Sequence, residues 1–269
     1  MPPEAKITAV ALRARKGTGE RIAVLTAYDV VFAGLADRAG IDAVLVGDSL
    51  GMVIQGERST LSVTLDEMVY HTRIAARGVA RAHLVADLPF MSYQASVEDG
   101  MRAAGRLMKE GNAEAVKLEG GESVAELCRR MVQAGIPVMG HVGLTPQSIH
   151  QLGGFKVQGR TEAQRAQILA DARALADAGA YAIVLEAVPH ALAGEITRAV
   201  PAVTIGIGAG VDCDGQVMVM HDLLGLQPAW KPRFVRRYAE MGKAVGEAFA
   251  AYAADVRAGK FPAADESYD

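Results

Sequence analysis

Short runs of Val, Ile, Leu and Ala alternate along the chain with longer stretches whose apolar residues recur at helical spacing. Runs this short fit buried strands and the intervening stretches fit amphipathic helices, so the pattern predicts repeated βα units around a parallel sheet. The predicted strands cover residues 21–27, 43–47, 83–87, 115–119, 137–141, 182–186, 202–207 and 216–220. Eight such runs, about 30 residues apart on average, suit a closed (β/α)8 TIM barrel of the α/β class better than an open sheet. Residues 97–110, 123–134 and 161–178 are predicted outer helices, each stopped by a glycine: Gly111, Gly135 and Gly179. Residues 7–16 and 232–258 lie outside the eight units and read as extra N-terminal and C-terminal helices that cover the barrel bottom or contact another subunit. No linker or low-complexity tract interrupts the pattern, so a single barrel domain over 1–269 is expected.

Composition narrows the function. Hydrophobic residues make up 51% and charged residues 22% of the 269, which belongs with compact globular chains. The net charge of −3, with both signs spread along the sequence, offers no basic stripe to neutralise a phosphate backbone, so nucleic acid is excluded as a partner. No apolar run approaches the roughly 20 residues that span a bilayer, and Met1-Pro2-Pro3-Glu4-Ala5-Lys6 lacks a secretory pattern. No membrane association and a cytoplasmic location are expected. Cys128 and Cys213 are isolated thiols that form neither a metal knuckle nor a disulfide framework.

The chemistry-bearing residues stand at strand ends. A parallel barrel presents the C-terminal ends of its strands at the catalytic face. Four predicted strands end in an acid: Asp48, Asp87, Glu119 and Glu186. A lone acid there is as well explained as a capping group, but four converging on one rim point to metal binding and acid/base work. Because side chains alternate along a strand, Lys117 and Glu119 share the side facing the barrel mouth. Lys117 there neutralises a substrate carboxylate, or else it only pairs with Glu119. Clustered acids repel one another unless a proton or cation intervenes, and a hard divalent ion, magnesium, fits, with Asp48 and Asp87 as its natural ligands. His141 ends the fifth run as a substrate hydrogen-bond donor, a packed core histidine or a metal ligand, in that order of preference.

The glycine-rich segments carry less. In Gly206-Ile-Gly-Ala-Gly the next residue is Val211 where a dinucleotide fingerprint needs its last glycine, and no Gly-Lys-Ser/Thr follows any loop. Segment 153–160, after the fifth strand, reads equally as a mobile lid or an ordinary surface loop. His221 and Asp222, after the eighth, serve the site or cap a loop.

Seven segments in one order are more specific than any of these alone: Thr-Ala-Tyr-Asp (26–29), Val-Gly-Asp-Ser-Leu-Gly-Met (46–52), Ala-Asp-Leu-Pro-Phe-Met (86–91), Val-Lys-Leu-Glu-Gly-Gly (116–121), Gly-His-Val-Gly-Leu-Thr-Pro-Gln (140–147), Lys-Val-Gln-Gly-Arg (156–160) and Gly-Ile-Gly-Ala-Gly (206–210). Together they resemble the ketopantoate hydroxymethyltransferase family. The resemblance implies a barrel like those of phosphoenolpyruvate mutase and isocitrate lyase. It also implies transfer of a hydroxymethyl group from 5,10-methylenetetrahydrofolate to 3-methyl-2-oxobutanoate, giving 2-dehydropantoate for pantothenate and coenzyme A synthesis. It further implies one Mg2+ per subunit held by Asp48, Asp87 and Glu119, oxo-acid contacts from Ser49, Asp87, Lys117 and His141, Glu186 as general base acting on a magnesium-stabilised enolate, and a homo-oligomer, a decamer of two pentameric rings. Two rival readings are a lyase of the mutase type, which needs a reactive lid cysteine that neither Cys128 nor Cys213 supplies, and a barrel that binds oxo acid or folate without catalysis.

Overall fold

A computed structural model describes residues 5–227 and 232–268. Two compact units emerge, Met1–Val219 and Met220–Asp269. The first is a closed barrel of eight parallel strands in sequence order: β1 (Ile22–Thr26), β2 (Ala43–Val46), β3 (His83–Asp87), β4 (Ala115–Glu119), β5 (Val138–Gly143), β6 (Ala182–Glu186), β7 (Val203–Ile207) and β8 (Gly215–Met218). All eight predicted strands form, with ends shifted by at most two residues. The informative shift is at β5, which continues past His141 so that Gly143 pairs with Glu186 on β6.

α1 (Ala9–Ala14) precedes the barrel, and the helices that follow its strands are α2 (Val30–Arg38), α3 (Leu50–Val53), α4 (Leu65–Ala76), α5 (Val97–Lys109), α6 (Ala125–Gln133), α7 (Ile149–Leu152), α8 (Glu162–Asp177) and α9 (His190–Ala199). Residues 208–214 join β7 to β8 without a helix, so the ring of helices is interrupted there. Local chemistry sets the helix ends. Thr64 and Thr161 open α4 and α8 with reciprocal capping boxes to Glu67 and Gln164, each cap contributing about 1 kcal/mol. Gly135 and Gly179 take left-handed backbone conformations after α6 and α8, as their stop role requires. After α5 that conformation belongs to Asn112 instead of Gly111, whose missing side chain leaves room for Leu107 O and Thr72.

Inside the barrel the period-2 alternation of each strand aims every second side chain inward. Ile22, Val24, Leu45, Val85, Ala115, Met139, Val184, Val203, Ile205 and Val217 form one apolar cluster there, and Ile7, Ala9 and Leu12 belong to it. The N-terminal segment and α1 therefore plug the end where the strands begin, which leaves the other mouth for chemistry.

The second unit holds α10 (Met220–Leu224) and α11 (Met241–Arg257). The helix expected over 232–258 begins only at Met241. Upstream of it, Tyr238 N–H donates to Leu223 O and Arg237 to Gln227 O, and these tertiary bonds override helical propensity in 232–240. His221 and Asp222 lie in this unit, on α10.

Candidate active site

On β3, β4, β5 and β6 the inward row of side chains changes character near the top. Val85 gives way to Asp87, Ala115 to Lys117 and then Glu119, Met139 to His141, and Val184 to Glu186. Apolar residues fill the lower layers and leave the charged ones at the C-terminal mouth, as the alternation predicts.

Register then decides who meets whom. Asp87 lies opposite Lys117 in the β3–β4 ladder, and Lys117 Nζ is 2.7 Å from Asp87 Oδ1. Glu119 lies opposite His141 across β4 and β5, with Glu119 Oε1 3.4 Å from His141 Nδ1. The other ring nitrogen, Nε2, faces Glu186 Oε2 at 3.2 Å. Asp48, two residues beyond β2, donates its backbone N–H to Asp87 Oδ2 at 3.0 Å. That approach needs Gly47, since a Cβ there would sit 2.8 Å from Ser49 Oγ and 3.4 Å from Asp87 Oδ2. Ser49 Oγ in turn lies 2.8 Å from the Tyr28 hydroxyl. Every site residue expected from the sequence is thus brought to one mouth.

Burial sharpens the electrostatics. Burial, then the neighbouring charges of Asp87 and Glu119, drives the Asp48 carboxyl well above the usual carboxylate range. The Asp87 carboxyl is also raised by burial, against the pull of Lys117. Glu119 goes the other way: burial alone would raise it, but His141, Lys117 and the Gln147 N–H hold it low. His141 loses to burial and to the Lys117 charge, yet its two carboxylate neighbours outweigh both and push it up to about 9. The imidazole lies between Glu119 and Glu186, which favour its cationic form, and Nδ1 is also 3.4 Å from Lys117 Nζ.

Four acids against two bases leave a formal charge of −2 in a pocket whose members, Glu186 apart, are buried. Among the described residues no three or more His, Cys, Asp or Glu side chains form a ready-made metal cage. The donor set that fits an ion is the Asp48–Asp87 pair: both carboxyls are buried and joined through the Asp48 N–H, and two carboxylates completed by water or substrate oxygens are the usual protein share of a magnesium site. Glu119, expected as a third ligand, has Oε2 bonded to the Gln147 N–H at 2.9 Å and Oε1 facing His141.

Three residues without a role in the sequence reading complete the mouth: Tyr28, Tyr93 and Gln147. All three are buried and follow the C-terminal end of a strand, and Tyr28 and Gln147 also stand in the family segments 26–29 and 140–147. Segment 153–160 is tied down at its far end, where Gln158 N–H donates to Ala187 O at 2.9 Å and Gly159 packs against Leu192. Phe155 and Val157 within it remain exposed. Cys128 is buried on α6 with its thiol pushed up to about 12 by burial, and buried Cys213 is raised too, so neither is a reactive lid cysteine.

Solved structures of similar fold include a phosphonopyruvate hydrolase, with a TM-score of 0.63 at 14% identity over 98% of this chain and 92% of that one. Another is 2,3-dimethylmalate lyase, a member of the phosphoenolpyruvate mutase/isocitrate lyase superfamily, with a TM-score of 0.61 at 18% identity over 99% of this chain and 93% of that one. At such identities the likeness concerns the barrel alone. Sequence relatives are far nearer. The 3-methyl-2-oxobutanoate hydroxymethyltransferase of Moorella thermoacetica is 56% identical over the full length of both chains. That of Syntrophotalea carbinolica is 55% identical over 97% of this chain and 98% of its own. The family model described as ketopantoate hydroxymethyltransferase matches residues 6–264, and the chain belongs to that family.

Proposed function

We propose that the chain transfers a hydroxymethyl group from 5,10-methylenetetrahydrofolate to 3-methyl-2-oxobutanoate, forming 2-dehydropantoate for pantothenate synthesis. The observation that carries the reading is the division of labour at the mouth: a buried carboxylate pair, Asp48 and Asp87, and beside it one acid, Glu186, whose side chain keeps 16% exposure. Asp48 and Asp87 would hold Mg2+, with Glu119 in its surroundings. The bound ion would draw electron density from the oxo acid and acidify the carbon next to its carbonyl.

The chain's own groups do the rest. Lys117 and Ser49 hold the acid end of the substrate, Ser49 being oriented by Tyr28. Glu186 takes the proton, and His141 Nε2, 3.2 Å away, fixes its carboxylate. The carbanionic carbon then bonds to the one-carbon unit, both C–N bonds to the folate break, water supplies the hydroxyl oxygen, and tetrahydrofolate leaves.

The same reading places the enzyme in the cytoplasm. Among the described residues, no helix is long and apolar enough to cross a membrane. It treats 1–269 as one functional domain and the protein as a homo-oligomer, with the decamer as its expected size. The exposed row Phe249, Tyr252 and Val256 on one face of α11, which buries no residue, supports association between copies. Incubation with Mg2+, 3-methyl-2-oxobutanoate and methylenetetrahydrofolate should yield 2-dehydropantoate; absence of product from folded, metal-loaded protein would overturn the assignment.

A further inference from the structure

We propose that Gln147 is a positioning residue for the carboxylate bed, setting which oxygen of Asp48 is offered to the metal, and that Tyr93 fixes Gln147 in the orientation this requires. The proposal rests on the reading of Asp48 and Asp87 as the metal pair. Gln147 lies in the short 3-10 turn Pro146–Ser148 that follows β5. It is 6% exposed, and its side-chain amide is fully used. Nε2 donates to Asp48 Oδ2 at 2.9 Å and to Leu88 O at 2.9 Å. Oε1 accepts from the Tyr93 hydroxyl at 2.8 Å and from Gln94 Nε2 at 2.9 Å. The backbone N–H of the same residue donates to Glu119 Oε2.

Proton counting fixes the amide. The Tyr93 hydroxyl accepts from Glu119 N–H at 3.0 Å, so its single proton is left for Gln147 Oε1 or for Glu119 O at 3.0 Å. The shorter contact is to Gln147. Rotating the amide by half a turn would set its oxygen against the acceptors Leu88 O and Asp48 Oδ2, two unfavourable contacts in place of two good ones. With the amide locked, Asp48 Oδ2 is occupied, and Oδ1 is the oxygen left for a cation. Asp87 is tied to the same bed through the Asp48 N–H. One glutamine, through side chain and backbone, thus references Asp48 directly, Glu119 directly and Asp87 at one remove. Metal-ligating carboxylates held this way lose metal affinity when the holding group is removed.

The test is Mn2+ binding to the full-length protein, followed by the loss of the free-ion electron paramagnetic resonance signal. Gln147→Met keeps the side-chain volume and the backbone N–H but removes all four hydrogen bonds of the amide. It should weaken Mn2+ binding 10- to 100-fold, in the usual range for a partner of a metal ligand. The thermal midpoint of the metal-free protein should fall as well, because buried Leu88 O loses a donor, so the affinity is the deciding readout. Tyr93→Phe removes one of the two bonds at Oε1 while Gln94 still orients the amide, so a smaller, several-fold loss is expected, and this variant carries the test if Gln147→Met fails to fold. Mn2+ affinity within twofold of wild type in the variant measured overturns the proposal, and a lowered thermal midpoint with unchanged affinity makes Gln147 a loop fastener only. Wild-type protein that takes up no Mn2+ overturns the metal pair itself, and the proposal with it.

Discussion

Asp87 and Lys117 face each other across the β3–β4 ladder, their charged atoms 2.7 Å apart and both side chains almost wholly buried. Lys117 is the main counter-charge to Asp87 and also draws on Asp48 and Glu119. Replacing Lys117 with Met fills the space but leaves the acids uncompensated. Removing one partner of a buried pair costs about 3–5 kcal/mol. Because burial already raises the Asp48 and Asp87 carboxyls, proton uptake in the variant should keep the loss near the lower end, about 3 kcal/mol. Urea unfolding with and without Mg2+ measures it. The ion supplies the missing charge, so the deficit should shrink at saturating Mg2+; an equal deficit in both conditions would mean the bed takes no cation.

Glu186→Gln keeps the shape of the side chain and its reach toward His141 but cannot accept a proton. Exchange of deuterium at C3 of 3-methyl-2-oxobutanoate should fall by about 10²- to 10⁴-fold, the usual contribution of a general base. Oxo-acid binding, read by calorimetry in the presence of Mg2+, should persist. Exchange at the wild-type rate would remove Glu186 from the role of base.

That Glu186 and its neighbours could be picked out in advance follows from period-2 alternation. A row that runs apolar through Val184 and then ends on Glu186 declares both the strand and its functional end, and the same holds for Val85 with Asp87 and Met139 with His141. The barrel was legible for the same reason, because its strands are buried on both faces and read as continuous apolar runs. Gln147 and Tyr93 carry no such mark. They come from loops whose side-chain directions depend on the turn, and a single polar residue in a turn reads alike whether it faces solvent or Asp48. The start of α11 was hidden by a similar cause, since the bonds from Tyr238 and Arg237 back to Leu223 and Gln227 join segments that local propensity does not connect.

Asp37 tests the opposite end of the barrel. From the last turn of α2 its buried carboxylate accepts the backbone N–H groups of Ala80 at 3.1 Å, Arg81 at 2.9 Å and Ala82 at 2.6 Å, fixing the chain just before β3. Asp37→Ala strands these donors and should cost about 2–3 kcal/mol in urea unfolding. Since β3 separates this clamp from Asp87 at its other end, kcat/KM well below the melting range should stay within twofold of wild type. A large loss of activity without loss of stability would show that the clamp reaches the site.

Glu114 supplies a pH test away from the site. Burial alone would raise its carboxyl, but the His83 ring at 3.4 Å, the Leu84 N–H at 2.8 Å and Lys6 at 2.9 Å outweigh burial and hold it below the usual carboxylate range. A depressed folded-state value means the unfolded chain binds the proton more readily, so stability from this group is present above about pH 4.3 and is lost as pH falls through the folded value. Glu114→Gln should therefore flatten the acid side of the stability profile below about pH 4.3. Profiles that remain parallel there would deny Glu114 this share.

Two glycines separate strain from helix propensity. Gly143 ends β5 at a φ of +94°, and a Cβ there would stand 2.4 Å from Glu186 O and 2.7 Å from Val188 Cγ1. Gly143→Ala therefore combines a disfavoured backbone with a collision against the carbonyl of the proposed base. It should destabilise by more than about 1 kcal/mol. By displacing Glu186 it should also lower kcat, with a shift of about 1 Å enough for a loss of up to about 100-fold. A Cβ at Gly105, inside α5, would meet nothing within 4 Å, so Gly105→Ala should stabilise by about 0.5–1 kcal/mol through helix propensity and leave kcat alone. The pair is measured together by urea unfolding and steady-state kinetics. If Gly143→Ala loses stability but keeps wild-type kcat, the β5–β6 pairing does not hold Glu186 in place, and its position must be set from the His141 side alone.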